Sequence, residues 1–548
     1  ILLFLCTKQF PKMRVHFSRL TVCIVLISIF FSCAQRGRPD GGPKDLDSPK
    51  FVNSIPENYT TNYKKNQIVI NFNEFIKLED ASQQIFFSPP IEPRPTVFPM
   101  GQASRNVKLD IPRDSLEDNT TYTVNFGKSI EDNNEGNTLP YFKYVFSTGN
   151  YVDSLQVEGN VFDAFNRISD KNISVMLYAL DLNYTDSLIY EGAPRYISFV
   201  RDSTSLFSVD NIKPGNYKMV AISDKNNNYK FDPIQDKIGF VSDTVKIPSD
   251  QLYDILIFKE ELEFEAVRPK QVSKQQFEFG FKGTLEDYKI DLISEAPEDF
   301  KAKYFRDQDT DTIHYWYKPY LEKDSLLFTF SNQARIDTLE IRPKQIEVDS
   351  LKISEVTNKK NKLLTDFRLR ANTPIVSFEK DSISFINQDS LAINFELALD
   401  TLYNQLIFKF EKEEKKSYKI DLLPGAIIDF FDTQNDSLSY RYSTRALADF
   451  GNLNLTITNI EEFPIIVELV NEKGDVESTV YETEKSTVNF KLITPGSYFI
   501  RLVYDKNANG KWDTGNFLKR LNPEPVLYEA QPVEIRANWD VQLSITLF

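Results

Sequence analysis

Apolar and polar positions alternate in short runs along nearly the whole chain. Ile68, Ile70 and Phe72 alternate with polar partners in QIVINFNEF, and Tyr122, Val124 and Phe126 do so in TYTVNFG. Phe142, Tyr144 and Phe146 repeat the pattern in FKYVFST. It returns at Phe277, Phe279 and Phe281, at Tyr288, Ile290 and Leu292, at Leu326, Phe328 and Phe330, and in the closing run Val541, Leu543, Ile545 and Leu547. A period of two over short segments predicts half-buried strands facing sandwich cores. Polar, turn-forming stretches such as EDNNEGN (131–137) separate the runs. No segment predicts a helix longer than a turn or two. The fold class is all-β, as tandem sandwiches.

One stretch occurs twice. PGNYKMVAISDKNNNYKFD (214–232) and PGSYFIRLVYDKNANGKWD (495–513) keep Pro, Gly, Tyr, Asp, Lys, two Asn, Lys and the last Asp in step. A fixed offset held over that length marks a duplicated structural unit.

Two resemblances give the units names. SPKFVNSIPEN, QIVINFNEFIKL, NTTYTVNFGKSIEDNNEGN and YFKYVFSTG resemble the bacterial Ig-like domain of S-layer-type and Bacteroidota envelope proteins. Its motifs are structural rather than catalytic. SYKIDLLPGAIIDFFDTQNDSLSYRYST (417–444) repeats the pattern, with Tyr418 against Tyr122, Asp429 close to Asp132 and Ser443-Thr444 against Ser147-Thr148. The order strand, Pro-Gly turn, strand, Asn-rich loop is similar to transthyretin-like β-sandwiches. The expected organisation is an Ig-like domain (51–149), a transthyretin-like sandwich (150–262), a sandwich-like unit (263–345), a second Ig-like domain (346–447) and a second transthyretin-like sandwich (448–548). Strung in that order, the five units predict a rod.

The N-terminus bears on location. Residues 1–12 read as upstream translated sequence before Met13, and 13–32 as a signal peptide, with a basic start and an apolar run from Leu20 to Phe31. Ser32-Cys33 directly after that run resembles a bacterial lipobox, which implies lipidation at Cys33; the alternative is an ordinary signal peptide with a chance cysteine. Residues 33–50 read as a flexible tether, rich in Gly, Pro and charge. With the lipobox, this architecture resembles Bacteroidota outer-membrane lipoproteins. The implied location is the outer membrane, with the cell surface favoured over the periplasmic face. Cys6 and Cys23 leave with the signal peptide, so no thiol remains for catalysis or for a disulfide.

Composition narrows the function. The 548 residues carry a net charge of −15, and the first 32 hold four of the basic residues and no acid. A chain this acidic has no general affinity for nucleic acid or anionic lipid. The expected partners are the membrane, through the lipid, and other envelope proteins.

Candidate chemistry is sparse. Asp505, Asn507, Asn509 and Asp513 stand at positions 1, 3, 5 and 9 of one loop, with Gly510 at the turn and Lys511 offering a carbonyl. That spacing suits Ca²⁺ of weak, extracellular type, roughly 10⁻⁴–10⁻³ M; a polar hairpin around an Asn-Gly turn accounts for it equally. The first copy, Asp224, Asn226, Asn228, Lys230 and Asp232, has Tyr229 where Gly belongs and favours a plain Asn-rich turn. Asp-(Ser/Thr) before an apolar residue recurs at Ser115, Ser154, Ser187, Thr244, Thr312, Ser325, Thr338, Ser350, Ser382, Ser390, Thr401 and Ser437, and Ser203 also fits. These resemble O-glycosylation acceptors of Bacteroidota, although Asp-Ser also starts turns before strands. Past His16, the one histidine is His314, in a strand-like context, and no Ser-His-Asp set or Gly-rich phosphate loop can be assembled. Tyr315, Trp316, Tyr317 and Tyr320, with Trp512 and Trp539, could stack on sugar rings, although clustered aromatics in β domains are more often core. The expected function is a non-enzymatic, lipid-anchored scaffold or interaction protein, an accessory subunit of an assembly, secretion or uptake complex; the alternative is a glycan-binding surface lipoprotein.

Overall fold

The computed structural model describes residues 44–201, 204–347, 350–356 and 362–547. The signal and lipidation segment with Cys33, and Ser203, lie outside the described residues. Within them the chain builds five two-sheet units in succession: module 1 (51–147), module 2 (155–257), module 3 (265–341), module 4 (353–443) and module 5 (451–546). Helix is confined to short pieces such as Ala81–Gln84 and Leu188–Glu191. Each module has its own apolar core drawn from the inward faces of its two sheets.

Module 4 repeats the topology of module 1. Gln67–Leu78 pairs with Phe51–Ile55, Ser104–Asp110 and Ile130–Asp132, and Phe86–Ser88, Thr121–Asn125 and Lys143–Ser147 form the second sheet. In module 4 the long strand is divided into Phe367–Ala371 and Ile375–Phe378, with the other pairings kept. Side-chain detail repeats as well. The Tyr122 hydroxyl accepts the Glu117 N–H at 2.8 Å and Tyr418 accepts that of Glu413 at 2.9 Å. Thr148 and Thr444 donate their hydroxyls to the carbonyls of Glu117 and Glu413.

Modules 2 and 5 share a second topology. Their first strands, Leu155–Asp163 and Gly451–Thr458, pair in parallel with their last, Leu252–Ile257 and Asp540–Thr546. The second sheet is built in both around a central nine-residue strand, Gly215–Ser223 or Gly496–Tyr504. The repeated Pro-Gly-x-Tyr has a specific task. Tyr217 folds back to donate to the Lys213 carbonyl at 2.9 Å, and Tyr498 to that of Thr494 at 2.8 Å. A Cβ on Gly496 would sit 3.2 Å from the Tyr498 hydroxyl, so glycine leaves room for that return.

The rod is corrected. Module 5 packs on module 2 across more than 250 positions of sequence, as the Thr514 to Lys259 hydrogen bond records. The reason lies in the central strands, which are buried on both faces. Tyr217, Met219 and Ala221 face module 2's own core, while Val220 and Ile222 on the opposite face are also 0 % exposed. A strand apolar on both faces needs a cover on each. Module 1 supplies part of that cover through Phe86, and module 5 supplies Phe517 and Trp512.

The tether reading is also narrowed. The Asn137 amide donates to the carbonyls of Asp45 and Asp47, and Lys50 N–H donates to Asn73, so the stretch from Asp45 lies along module 1.

Candidate functional site

The two Asn-rich loops leave the C-terminal ends of Gly215–Ser223 and Gly496–Tyr504. In the second, the Asp505 carboxylate is 1 % exposed and accepts the N–H groups of Asn509 at 3.1 Å and Gly510 at 2.7 Å. Gly510 has φ +79, the left-handed turn its position requires. Asn509 Oδ1 accepts the Lys511 N–H at 2.9 Å. The Asn507 and Asn509 amides both reach Asp513 Oδ2, at 2.5 and 2.7 Å. Asn507 Oδ1 accepts the Asn509 N–H at 3.1 Å, so the local network sets both amides with their nitrogens toward Asp513. A hard cation takes oxygen donors, so binding here would require both amides to give up those bonds and turn.

The first loop has the same frame without that convergence. Asp224 accepts the N–H groups of Asn226 at 3.1 Å and Tyr229 at 2.7 Å, and Asn228 accepts that of Lys230 at 3.0 Å. Tyr229 takes φ 60 where Gly510 stands in the copy. Asp232, instead of facing the asparagines, accepts from Ile234 N–H and from the Gln235 amide. Burial pushes the Asp224 carboxyl above the usual range, with the Asp236 charge adding to it and the loop's N–H groups opposing it. Among the described residues, no group of three or more His, Cys, Asp or Glu is placed to hold a metal.

Sequence reasoning missed a second carboxylate in each loop. Asp236, 0 % exposed, accepts the N–H groups of Lys225 and Asp232, both at 2.9 Å. Glu524 accepts those of Lys506 at 2.7 Å and Asp513 at 3.0 Å. Each ties the start of its loop to the end. The two lie at different distances from the repeated Asp and differ in type, so matching the repeat residue by residue passes over them.

Both loops touch a neighbouring module. Asn227 donates to the Ser82 carbonyl of module 1 at 3.4 Å. Trp512 stacks on Phe165 of module 2 with centroids 4.6 Å apart, and its indole N–H is held by the Glu524 carbonyl.

The aromatic platform is corrected. Tyr315, Trp316 and Tyr317 are all buried, and Trp316 lies against Phe305, Phe430 and Phe431 where modules 3 and 4 meet. Trp316 lies on the face of its strand opposite module 3's own core, and module 4 covers that face. Trp512 is engaged between modules, and Trp539 is exposed with Arg536 over its ring. Tyr320 is half-buried.

His314 is half-buried in the strand Thr312–Lys318, with Asp307 at 3.3 Å and Glu278 at 3.5 Å. Burial lowers the Lys218 ammonium to about 8, with Arg520 adding to the effect. Its ammonium is held by the Val241 and Ser242 carbonyls, a structural setting. None of the twelve proposed glycosylation hydroxyls is buried. Ser154, Ser187, Thr244, Thr338, Ser350, Ser390, Thr401 and Ser437 are exposed, and Ser115, Thr312, Ser325 and Ser382 are half-buried.

Residues 45–148 match the family described as a bacterial Ig-like domain. No curated protein sequence matches the chain. Solved structures similar to it include domains 1–6 of the surface layer protein SbsC, at 10% identity over 86% of this chain and 67% of that one, with a TM-score of 0.14. BcpA, the major pilin subunit of Bacillus cereus, is 11% identical over 71% of this chain and 99% of its own, with a TM-score of 0.14. The chain is thus all-β and carries a bacterial Ig-like domain at 45–148.

Proposed function

We propose that this protein is a non-enzymatic, lipid-anchored scaffold of the outer membrane, facing the cell surface and serving as an accessory subunit of an assembly, secretion or uptake complex. One observation carries the non-enzymatic part. The candidate residues are spent on architecture: Asp224 and Asp505, with the Asp236 and Glu524 that the structure adds, on loop N–H groups, and Trp316 and Trp512 on contacts between modules. The Ig-like domain at 45–148 fits such a role. The lipobox resemblance at Cys33 supports the anchor. Weak Ca²⁺ binding at Asp505, Asn507, Asn509, Lys511 and Asp513 belongs to the same proposal, as does O-glycosylation at the accessible Asp-Ser and Asp-Thr sites, which intact-mass measurement of the native protein would read directly. The glycan-binding alternative loses Trp316 and Trp512, the two rings it most needed.

The test joins metabolic fatty-acid labelling to a mild-detergent pull-down of the tagged, full-length protein. Labelled wild type in the membrane fraction, and unlabelled Cys33→Ala in the soluble fraction, is the expected result. A defined set of envelope proteins should co-purify with the wild type. Label retained in Cys33→Ala removes the anchor, and a protein that purifies alone removes the complex.

A further inference from the structure

Modules 2 and 5 hold each other reciprocally. From module 5, Phe517 lies edge-on to Phe240 with centroids 5.5 Å apart and donates its N–H to Glu260 at 2.5 Å. Arg520 makes a two-pronged pair with Asp186 at 2.6 and 2.7 Å. Gly515 lies so close that a Cβ there would stand 2.6 Å from the Phe258 ring. From module 2, Phe165 enters between Trp512 and the Arg501 guanidinium, 4.0 Å from its ring, and its carbonyl accepts the Tyr528 hydroxyl. Arg501 is 3 % exposed and paired with Glu468 at 2.6 Å. Its counterpart in the repeat is Val220, so the two copies have diverged where they meet.

Module 1 is joined to module 2 just as firmly. Ile197 N–H donates to Ser88, Thr123 bonds Asn211 at 2.9 Å, and Phe86 packs on Phe199. Modules 3 and 4 meet separately, through Trp316 and Phe431, Lys318 and Asp432, and Gln405 and Gln308. The chain leaves module 2 at the Lys259–Glu260 segment, which is itself a docking point for Thr514 and Phe517.

We propose that the segment from Asp505 to Glu524 is a latch that locks module 5 onto module 2, and so onto module 1, making one cooperative base on which modules 3 and 4 are carried as a looped-out pair. The repeated Asn-rich loop then acts as a docking element, and its carboxylate ties keep that element in shape. Where the latch flanks module 3 it borders an open cleft of about 450 Å³, with Lys511 and Lys519 facing Glu261, Glu263 and Glu286. This goes beyond the scaffold role and does not depend on the lipid anchor.

Hydrogen exchange on the full-length chain tests it. Phe517→Asp should lower protection in Lys237–Phe240, Leu252–Ile257 and Gly496–Tyr504 together, by about tenfold or more, because a shared opening sets all three. Gln276–Lys282 in module 3 and Phe367–Ala371 in module 4 should keep theirs. Loss confined to Gly496–Tyr504 would mean that module 5 had merely unfolded and would overturn the coupling. A charge swap guards against a variant that fails to fold: Arg520→Glu and Asp186→Arg should each lower the protection, and the double variant should restore most of it. A swap no better than the two losses combined overturns the latch. Under denaturant, modules 1, 2 and 5 should open in one step and modules 3 and 4 in another; opening in five independent steps overturns the base.

Discussion

A single carboxylate decides the shape of each Asn-rich loop. Asp505 is inaccessible to water and takes two backbone N–H groups. Asp505→Ala should therefore destabilise module 5 by about 1–3 kcal/mol, the range for stranding buried donors. Gly510→Ala tests a different term. Its Cβ would meet nothing within 4 Å, so the expected loss of about 1 kcal/mol comes from the backbone alone. Urea titration of both variants separates the two effects. The Ca²⁺ proposal is testable at the same site. With Kd near 10⁻³ M, about 10 mM Ca²⁺ adds about 1.4 kcal/mol over chelator. The thermal midpoint should rise by a few degrees, and Asp513→Ala should abolish the rise while Asp232→Ala leaves it. No rise in the wild type would leave the loop a hydrogen-bonded turn. At this scale the repeated Asp, Asn and Gly positions were legible because turn chemistry requires those residue types. Asp236 and Glu524 were not, since nothing local ties a carboxylate to an N–H group 11 or 18 residues away.

Strands were legible wherever one face meets solvent, since alternation then records burial directly. Leu252–Ile257 is such a strand, with alternate residues buried. Gly215–Ser223 and Gly496–Tyr504 break the rule, being buried on both faces from their tyrosines onward. In sequence they show an apolar run but not the identity of what covers the outer side. The distinction has a measurable consequence. In a freestanding sandwich Ile222 would point outward, and its truncation would change stability by no more than about 0.5 kcal/mol. Here it is 0 % exposed in the cluster that also holds Phe517, so Ile222→Ala should cost about 2–5 kcal/mol. Trp316 is a parallel case: aromatic clustering in a β unit already favoured core, and only the second module shows what covers its outer face.

Across the whole molecule, every module buries tyrosines, and that fixes how the protein responds to alkali. Burial pushes Tyr63, Tyr184, Tyr190, Tyr442 and Tyr498 up to about 12. They belong to modules 1, 2, 4 and 5, and in module 3 burial moves Tyr315 and Tyr317 upward as well. An unfolded chain releases these protons near pH 10, whereas the folded chain keeps them until about 12. Between those values the native state binds more protons than the unfolded state, so stability falls as pH rises. Below pH 10 both states are protonated and this contribution is fully present. The urea midpoint should thus be insensitive to these groups up to pH 10 and drop steeply from 10 to 12. Tyrosinate absorbance from these packed rings should rise in one step with unfolding, apart from the signal of rings that already reach solvent in the folded state. Modules 1, 2 and 5 should be lost together in that window, because Tyr63, Tyr184, Tyr190 and Tyr498 all lie in the body that the latch closes. The whole tyrosinate signal, packed rings included, appearing ahead of any change in the far-UV signal would mean these rings reach solvent within the folded state and would contradict the packed cores.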